Sequence, residues 1–380
     1  MVTVNTTYDI AIVGGGLAGL SSAILLARRG FKVVLFEKKS YPFHRVCGEY
    51  ISEESRPFLQ SLGIPFAQLN LPEIRNLLVS SPDGSVVESA LTPGGFGISR
   101  YRLDAILAGI ARSCGVRVME ATKVNNIRYN NGVMVVSFHQ QEIMARVAIG
   151  CYGKRANLDL GWNRPFAMSK VGKLNNFIGV KYHIRIDEPE DRIALHNFKD
   201  GYCGISQIED GLFCLCYLTT ANNLGMNNNS IPQMEEVVLK RNPHLARIFG
   251  KAERVWNTPQ SISQVSFMAK SQVEDHVLMA GDAAGMITPL CGNGMSMALH
   301  ASKLVTEQVT RFLCGEISRA EMELHYQKNW QKHFSRRLAA GRLIQGFFGE
   351  PWLSGLLVKA ARGFPALTSY LVKQTHGEEF

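Results

Sequence analysis

The sequence has 380 residues and lacks several features that would place a protein in a class at once. Its eight cysteines include no C-x-x-C pair, which excludes a zinc ribbon and a thioredoxin-type dithiol. Scattered cysteines suit a reducing cytoplasm, which is the predicted location. No run of about 18 apolar residues occurs, so no segment is expected to span a membrane. The N-terminal residues lack the basic and apolar regions of a signal peptide, so none is expected.

The chain is basic, because its 41 Lys and Arg residues exceed its 32 Asp and Glu residues and give a formal net charge of +9. A net positive charge can favour binding to nucleic acid, to an anionic membrane or to an anionic cofactor. Before residue 300 no dense basic run is interleaved with aromatic residues, which argues against a nucleic-acid partner. Hydrophobic residues make up 46% of the chain and charged residues 19%, which predicts a globular protein with an ample core.

A glycine-rich turn near the N terminus carries the clearest motif. The apolar strand Asp9–Val13 leads into Gly14-Gly15-Gly16-Leu17-Ala18-Gly19, which has the spacing G-x-G-x-x-G, and the helix Leu20–Arg29 follows. Gly14 permits a tight turn, Gly16 lets a pyrophosphate approach the backbone, and Gly19 lets helix and strand pack closely. Leu17 and Ala18 lie where the helix begins and offers unpaired N–H groups to phosphates.

The end of the next strand supports a dinucleotide site at this turn. The strand Phe31–Phe36 is followed by Glu37, which lies 18 residues after Gly19, and then by Lys38. Glu37 is placed to accept hydrogen bonds from ribose hydroxyls, and its charge would repel a 2′-phosphate. Strand, helix, second strand and terminal acid agree, so we predict a dinucleotide here, with Lys38 among its contacts.

The middle of the chain has a different pattern of apolar and polar residues. Pro82-Asp83-Gly84 joins two short apolar runs into a predicted hairpin, and Thr92-Pro93-Gly94-Gly95 is expected to break the chain. We predict an antiparallel sheet because apolar and polar residues alternate in four segments, Phe177–Ile186, Ile193–Phe198, Gly201–Ile208 and Leu212–Thr219. A helix is predicted over Ile231–Asn242.

A second fingerprint lies far along the chain. The apolar strand Val277–Met279 precedes Gly281-Asp282, and a helix is predicted from Met295 to Phe312. Asp282 can bond a ribityl or ribose hydroxyl. The N–H groups at the helix start, from Gly292, Gly294 and Met295, can face the edge of a flavin that becomes anionic on reduction. The stretch resembles the GD motif of the p-hydroxybenzoate hydroxylase-like (group A) flavoproteins, which include the geranylgeranyl reductases.

The resemblance extends over roughly the first 310 residues and implies further FAD contacts. Arg100 in SRYRLD is similar to the family's arginine that lies along FAD, and Arg45 in PFHRVCGE occupies another position near the flavin. Val124 is assigned to the cofactor site in the same way. The loop Ile149–Asp159 resembles the family's ADG-x-x-S-x-x-R motif, except that Tyr152 replaces the usual Asp and an alanine the usual Ser. This departure leaves the mode of flavin reduction open.

The resemblance implies an α/β fold with a discontinuous, glutathione reductase-type, Rossmann-like FAD-binding domain. We predict this domain over residues 1–75, 96–165 and 268–315, an inserted antiparallel-sheet substrate domain over 76–95 and 166–267, and a C-terminal helical region over 316–380. No second G-x-G-x-x-G follows a strand, so no dedicated NAD(P)H domain is expected. FAD is therefore the predicted non-covalent occupant of the glycine turn, and NAD(P)H would bind only transiently as reductant.

Three residues are candidates for chemistry at the flavin. Cys47 resembles the cysteine that lies at the flavin ring in geranylgeranyl reductases, and either donates a proton or packs as a small buried hydrophobe. His44 is either a general acid/base or a loop residue. Tyr202 either lines the substrate pocket or packs in the sheet. Cys214 and Cys216 are predicted to share one strand face, as core residues or a redox pair. No metal is predicted, because histidines such as His183 have no ligand spacing.

The leading hypothesis is a monooxygenase acting on an apolar or phenolic, lipid-like substrate, with O₂ as co-substrate at a site that excludes water. The alternative is a reductase that saturates C=C bonds of an isoprenoid or lipid, and a third hypothesis is a flavin-binding membrane protein without turnover. The C-terminal region is predicted to form a peripheral helix on the inner face of the membrane, a lid over an apolar pocket, or a helix packed on the FAD-binding domain. Its basic and apolar residues are Lys328, Lys332, His333, Arg336, Arg337, Arg342, Phe347, Phe348, Trp352, Leu353, Leu356 and Leu357.

Overall fold

The computed structural model describes residues 4–170, 172, 174–288, 293–347, 355 and 379–380, and within them two sheets and their helices form the framework. The strands are β1 (Val4–Val13), β2 (Val33–Phe36), β3 (Tyr50–Ser52), β4 (Glu73–Ser80), β5 (Val86–Gly97), β6 (Arg117–Met119), β7 (Val124–Asn130), β8 (Val133–Phe138), β9 (Gln141–Gly150), β10 (Phe177–Arg185), β11 (Arg192–Phe198), β12 (Gly201–Gln207), β13 (Phe213–Thr220), β14 (Glu253–Arg254), β15 (Gln260–Val265), β16 (Val273–Glu274) and β17 (Val277–Met279). The helices are α1 (Leu17–Arg28), α2 (Arg56–Leu62), α3 (Arg100–Ser113), α4 (Asn157–Gly161), α5 (Pro165–Met168), α6 (Ala221–Gly225), α7 (Ile231–Val237), α8 (Pro243–Lys251), α9 (Gly294–Leu313) and α10 (Arg319–Phe347).

The first sheet carries the glycine turn. Its strand order is β16-β17-β9-β1-β2-β6, with the hairpin β7-β8 beside β9. The strands β17, β9, β1, β2 and β6 run parallel. All four residues of β2 are buried, as expected for a parallel strand covered on both faces. Because β1 and β17 end at the same edge, the turn before α1 and the segment Gly281-Asp282 lie at the carboxyl ends of the strands, where such sheets bind ligands.

The second sheet has the order β14-β10-β13-β12-β11-β4-β5-β3, with β15 beside β10. Its four predicted segments form β10 to β13, which pair antiparallel as expected. One pair, β4 with β11, runs parallel, which the alternation pattern did not predict. One face of this sheet packs against α7 and α8 through a core that includes Tyr182, Leu215, Met234 and Leu245.

The opposite face of the second sheet, which we name the chamber face, lies against the loop before β3. Lys181, His183, Cys214 and Cys216 share this face, because the cross-strand partners are Lys181 with Cys216 and His183 with Cys214. The prediction that Cys214 and Cys216 point the same way is therefore confirmed. The Lys181 ammonium donates to the backbone oxygen of Arg45 at 3.0 Å, which joins the face to the loop before β3.

The structure overturns two local expectations. The segment from Thr92 to Gly95 does not break the chain, because β5 continues through it to Gly97 with a register shift against β4. The helix predicted over Ile231–Asn242 ends at Val237, and α8 follows as a separate helix that the pattern missed. Asn242 caps α8 by accepting the N–H of His244, and a proline at the first helical position was the available signal.

The overall α/β architecture agrees with the prediction, whereas the predicted domain boundaries stay a prediction. In the described part of the chain no helix is long and apolar enough to cross a bilayer. The basic residues Lys328, Lys332 and Arg336 lie exposed on α10. The side chain of Phe347 and the residues Phe348, Trp352, Leu353, Leu356 and Leu357 lie outside what the structure describes.

A buried carboxylate on α7 fastens the helices to the second sheet. Glu235 accepts hydrogen bonds from the hydroxyls of Tyr182 at 2.8 Å and Tyr217 at 2.9 Å, and from Arg254 at 3.1 Å. Its neighbour Glu236 pairs with Lys240 at the surface. The two glutamates therefore offer a matched comparison of a buried and an exposed carboxylate.

We expect Glu235→Ala to lower the free energy of unfolding by about 3 kcal/mol, because two buried hydroxyls and the exposed Arg254 guanidinium lose their acceptor. Glu236→Ala should leave stability unchanged, since exposed ion pairs contribute little. Urea unfolding followed by circular dichroism measures both variants. Equal midpoints for the two would contradict the assigned role of Glu235.

Candidate functional site

The glycine turn has the shape required of a phosphate cradle. Gly14 has a φ of +108°, and a Cβ there would overlap the backbone of Cys151. A Cβ on Gly19 would overlap the carbonyl oxygen of Gly14, so the close packing of helix on strand depends on glycine. Gly16 precedes α1 without a side-chain cap, which leaves the N–H groups of Leu17 and Ala18 at an uncapped helix start.

A network of charged side chains lines one side of the turn. Glu37 accepts the N–H of Gly15 at 3.0 Å and a hydrogen bond from Arg45 at 2.9 Å. Arg45 and Arg100 both donate to the buried carboxylate of Asp104 at 2.8 Å. The structure thus brings Arg100, which is distant in sequence, together with Glu37 and Arg45, and all three were predicted as cofactor contacts.

Two other predicted contacts occupy different surroundings. Lys38 follows Glu37 and is exposed to solvent. Val124 begins β7 and is buried in the core beneath the first sheet. Thr122, two residues before it, donates its N–H to the backbone oxygen of Glu37, so Val124 lies close to the strand end that carries the acid.

The second fingerprint forms a short 3₁₀ turn, Gly281–Ala283, after β17. Burial raises the pKa of Asp282, and the nearby cations Lys270, Arg100 and Arg45 act against this rise. Lys270 donates to the backbone oxygen of Asp282 at 2.7 Å, and burial lowers its pKa to about 8. Three cofactor contacts were predicted at the start of the following helix. Gly294 and Met295 begin α9, whereas Gly292 lies outside the described residues.

Tyr152, which replaces the family's usual Asp, belongs to a buried network behind this turn. Its hydroxyl donates to Asp159 at 2.8 Å and accepts from Arg164 at 3.1 Å. Arg164 also bonds Asp159 at 2.8 Å and the backbone oxygen of Ala283 at 3.1 Å. Burial raises the pKa of Tyr152. The substituted loop therefore supports the turn that carries Asp282 through Arg164.

The most heavily paired group at the chamber face is Glu49, which the sequence analysis did not single out. One carboxylate oxygen accepts from the Lys181 ammonium at 2.5 Å and from the Arg100 N–H at 2.8 Å. The other lies 2.5 Å from His183 Nε2. Burial alone would raise the pKa of Glu49, but the Lys181 charge and the His183 hydrogen bond outweigh it and lower the pKa to about 2. The only sequence signal was the C-G-E stretch itself.

Cys47 lies two residues before Glu49, on the same loop. Its backbone oxygen accepts a hydrogen bond from the Cys214 thiol at 3.3 Å. Burial raises the pKa of Cys47 and of Cys214, and it raises the pKa of Cys216 to about 12. All three are therefore neutral thiols at physiological pH, which makes them weak nucleophiles.

Apolar residues continue the chamber face away from the ionic cluster. Tyr202, Leu218 and Phe177 form a small core with Phe267. Met286, which follows the Asp282 turn, packs against this core. Tyr202 is thus buried among apolar side chains on the chamber face, and its two predicted roles stay predictions. Leu195, Gly204 and Cys216 are partly exposed on this face.

His44 lies at the outer end of the same region. Its ring stacks on Tyr101 with centroids 4.6 Å apart and lies 4.5 Å from Trp256 and 5.2 Å from His183. Burial, together with the Lys181 and His183 charges, lowers the pKa of His44 to about 4. The imidazole is therefore neutral at physiological pH.

Metal-type donors meet at one place among the described residues, where Glu49, His183 and Cys214 place ligand atoms within 4.8 Å of one another. The Lys181 ammonium already pairs with Glu49 there. A divalent cation would have to displace or repel this ammonium, so the cluster is arranged as a buried ion pair.

Comparison with known proteins identifies the family, since residues 7–328 match the FAD binding domain family. The chain belongs to this family. It is 24% identical over 372 residues to conditioned medium factor receptor 1 of Dictyostelium discoideum, covering 90% of this chain and 70% of that protein. It is 25% identical over 362 residues to a digeranylgeranylglycerophospholipid reductase of Methanothrix thermoacetophila, covering 90% and 87%.

A solved halogenase in complex with phloroglucinol and FAD has the same fold, with a TM-score of 0.75 at 16% identity over 97% of this chain and 83% of that one. As a member of the FAD binding domain family, the chain is an FAD-dependent oxidoreductase. Its residues fit the cofactor, because Gly14 and Gly19 form a cradle that a Cβ would fill and α1 begins uncapped at Gly16. The remaining predicted site residues stay predictions.

We expect Gly19→Ala to weaken FAD binding at least about tenfold, because the new methyl group overlaps the Gly14 carbonyl and reshapes the phosphate turn. Gly109→Ala is the matched control, since a Cβ there meets no neighbouring atom within 4 Å. Flavin absorbance of the purified proteins, followed by titration with FAD, measures the difference. Full flavin content in Gly19→Ala would refute the assignment.

The depressed pKa of Glu49 predicts a pH-dependent contribution to stability. Its charge stabilises the fold above the ordinary carboxyl pKa of 4.5, and this contribution is lost as the pH falls towards about 2. The stability difference between wild type and Glu49→Gln should therefore be largest near neutral pH and shrink across this window. Denaturant unfolding at a series of pH values tests it, with Glu73→Gln on the surface as control. A pH-independent difference would contradict the ionic role.

Proposed function

We propose that this FAD-dependent oxidoreductase is a monooxygenase that hydroxylates a phenolic, lipid-like substrate held between the flavin and the chamber face. The observation that supports this proposal most is the pairing of an apolar wall with the buried cluster of Glu49, Lys181 and His183. The apolar wall would contact the hydrocarbon part of such a substrate, and the charged cluster would bind its phenolic oxygen.

The phenolic oxygen explains why a cation would lie at this wall. Hydroxylation of an aromatic ring is easier when the phenol loses its proton, because the phenolate enriches the ring in electrons. Lys181 is fully buried, and among the described residues its ammonium donates to Glu49 and to the Arg45 carbonyl, which are two of the three bonds it can make. Its third N–H would bind and orient the substrate oxygen.

FAD would supply the chemistry with O₂ once NAD(P)H has reduced it, and the chain's part is to bind, orient and exclude water. NAD(P)H would bind transiently at the surface, because the sequence has no second glycine fingerprint. The neutral thiols of Cys47 and Cys216 suit an oxidising reaction, since thiolates rather than thiols are the reactive form.

A second candidate function is reduction of C=C bonds in an isoprenoid or other lipid. It is favoured by Cys47, a partly exposed neutral thiol on the loop facing Lys181 and Cys214, which could donate the proton that accompanies hydride transfer. The similarity to a digeranylgeranylglycerophospholipid reductase also supports this candidate.

A lipid-like substrate would lie in a membrane, and the exposed basic side chains of α10 suit contact with an anionic bilayer surface. Peripheral attachment through Lys328, Lys332 and Arg336 is therefore part of the proposal. It would give the enzyme access to substrate without a membrane-spanning segment.

Oxygen dependence separates the two reactions. With an alkylphenol and NADPH, the monooxygenase should consume one O₂ for each hydroxylated product and form nothing under anaerobic conditions. Saturation of a geranylgeranyl lipid without O₂ would instead establish the reductase. In that case Cys47→Ala should lower turnover at least about tenfold, with Cys114→Ala as control. If the protein is a monooxygenase, Cys47→Ala should still consume one O₂ for each hydroxylated product.

A further inference from the structure

We propose that a group of side chains around α4 and α5 contacts an anionic lipid bilayer. The apolar members are Leu160, Met168 and Leu174, the basic members are Arg155 and Lys170, and together we call them the α4–α5 surface. The inference rests on the proposed function in one respect, that the substrate is lipid-like and lies in a membrane. To the basic attachment proposed for α10 it adds apolar side chains that enter the bilayer.

The apolar side chains of this surface are open to water. Leu160 is 44% exposed near the end of α4, Met168 is 59% exposed at the end of α5, and Leu174 is 39% exposed before β10. A single exposed apolar residue is ordinary, whereas several close together mark contact with a membrane or a partner. Such side chains are stabilised when they move from water to the boundary between headgroups and acyl chains.

Hydrogen bonds bring the two basic residues next to the apolar ones. The Arg155 guanidinium donates to the backbone oxygen of the residue before Met168 at 3.0 Å. The Asn175 side chain donates to the backbone oxygen of Lys170 at 2.7 Å, which folds the chain so that Leu174 and Lys170 lie close together. Both Met168 and Leu174 therefore have a basic neighbour, as in interfacial segments whose long cationic side chains reach the headgroups.

The exposed charge of this stretch of chain is positive. Between residues 154 and 176 the sequence has one acidic residue, Asp159. It is fully buried and pairs with Arg164 at 2.8 Å, so it does not offset the charge of Arg155 and Lys170 at the surface. The phosphate groups of an anionic bilayer complement this charge, whereas a bilayer without net charge does not.

The α4–α5 surface adjoins the apolar part of the chamber face. The backbone oxygen of Leu174 accepts the N–H of Phe267 at 2.7 Å. Phe267 is fully buried and packs with Phe177 and Tyr202 in the core of that face. A lipid that leaves the bilayer beside Leu174 would therefore lie next to the wall that is proposed to hold its hydrocarbon part.

Hydrogen bonds also connect the surface to the region that carries α10. Arg164, just before α5, donates to the backbone oxygens of Ser271 at 2.8 Å and Ala283 at 3.1 Å. Gln331 on α10 donates to the side chain of Gln272 at 3.3 Å. The start of α5 and α10 thus pack on adjacent residues, which allows one bilayer to contact both.

Sedimentation of the flavin-loaded full chain with lipid vesicles tests the surface. Wild type should bind vesicles that mix phosphatidylcholine with phosphatidylglycerol, and added salt should weaken this binding. Met168→Asp should raise the dissociation constant at least about tenfold, because a charged side chain replaces an apolar anchor. Lys170→Glu should raise it about fivefold. Met226→Asp is the matched control, since Met226 is 68% exposed at the end of α6.

Equal binding by Met168→Asp and Met226→Asp would overturn the surface, provided that equal flavin content shows both variants to be folded. Binding of wild type to pure phosphatidylcholine as tightly as to the mixed vesicles would overturn it as well. Loss of binding in Lys328→Glu, with normal binding by Met168→Asp, would overturn it by assigning the contact to α10 alone. A wild-type dimer that Met168→Asp dissociates in gel filtration would overturn it by assigning the surface to a second copy of the chain.

The proposed function is tested separately, by turnover of a short, water-soluble alkylphenol without vesicles. Because vesicle binding is measured without substrate, failed turnover together with the expected binding pattern would overturn the proposed function alone. Normal turnover of this substrate in Met168→Asp, together with weakened vesicle binding, would support the surface as a membrane contact outside the site of the reaction.

Discussion

The buried carboxylate of Glu49 is the interaction on which the arrangement of the two sheets at the site depends. It joins the loop before β3 to Lys181 and His183 on the second sheet and to the first N–H of α3. Removing one partner of such a cluster leaves an uncompensated charge and typically costs about 3–5 kcal/mol. The separation between loop and chamber face is therefore fixed by charge as well as by packing.

The same loop connects the glycine turn to the chamber face. Arg45 bonds Glu37 at the end of β2 and Asp104 on α3, while its backbone oxygen accepts from Lys181. Arg100 contributes its side chain to Asp104 and its backbone N–H to Glu49. Side chains at the glycine turn and at the chamber face thus share one hydrogen-bonded network.

The parts of the molecule that could be predicted from sequence are those determined by neighbouring residues. The glycine turn, the alternating strands and α3 depend on local spacing and torsion preferences, and the family resemblance, which the comparisons confirm, supplied FAD. The contacts between Glu49 and Lys181 join residues 132 apart, and those between Glu49 and His183 join residues 134 apart. No periodicity encodes such pairs, because they arise only when the second sheet docks on the loop.

Tyr152 shows how a departure from a family motif can be understood once its surroundings are known. In the sequence, Tyr152 stands where the family usually has an Asp, which left the mode of flavin reduction open. In the structure a carboxylate is present seven residues later, at Asp159, and Tyr152 and Arg164 bond it within one buried network. Arg164 in turn reaches Ala283, next to Asp282. The turn that carries Asp282 is therefore supported by the network of Tyr152, Asp159 and Arg164, so the altered motif is compatible with an intact turn.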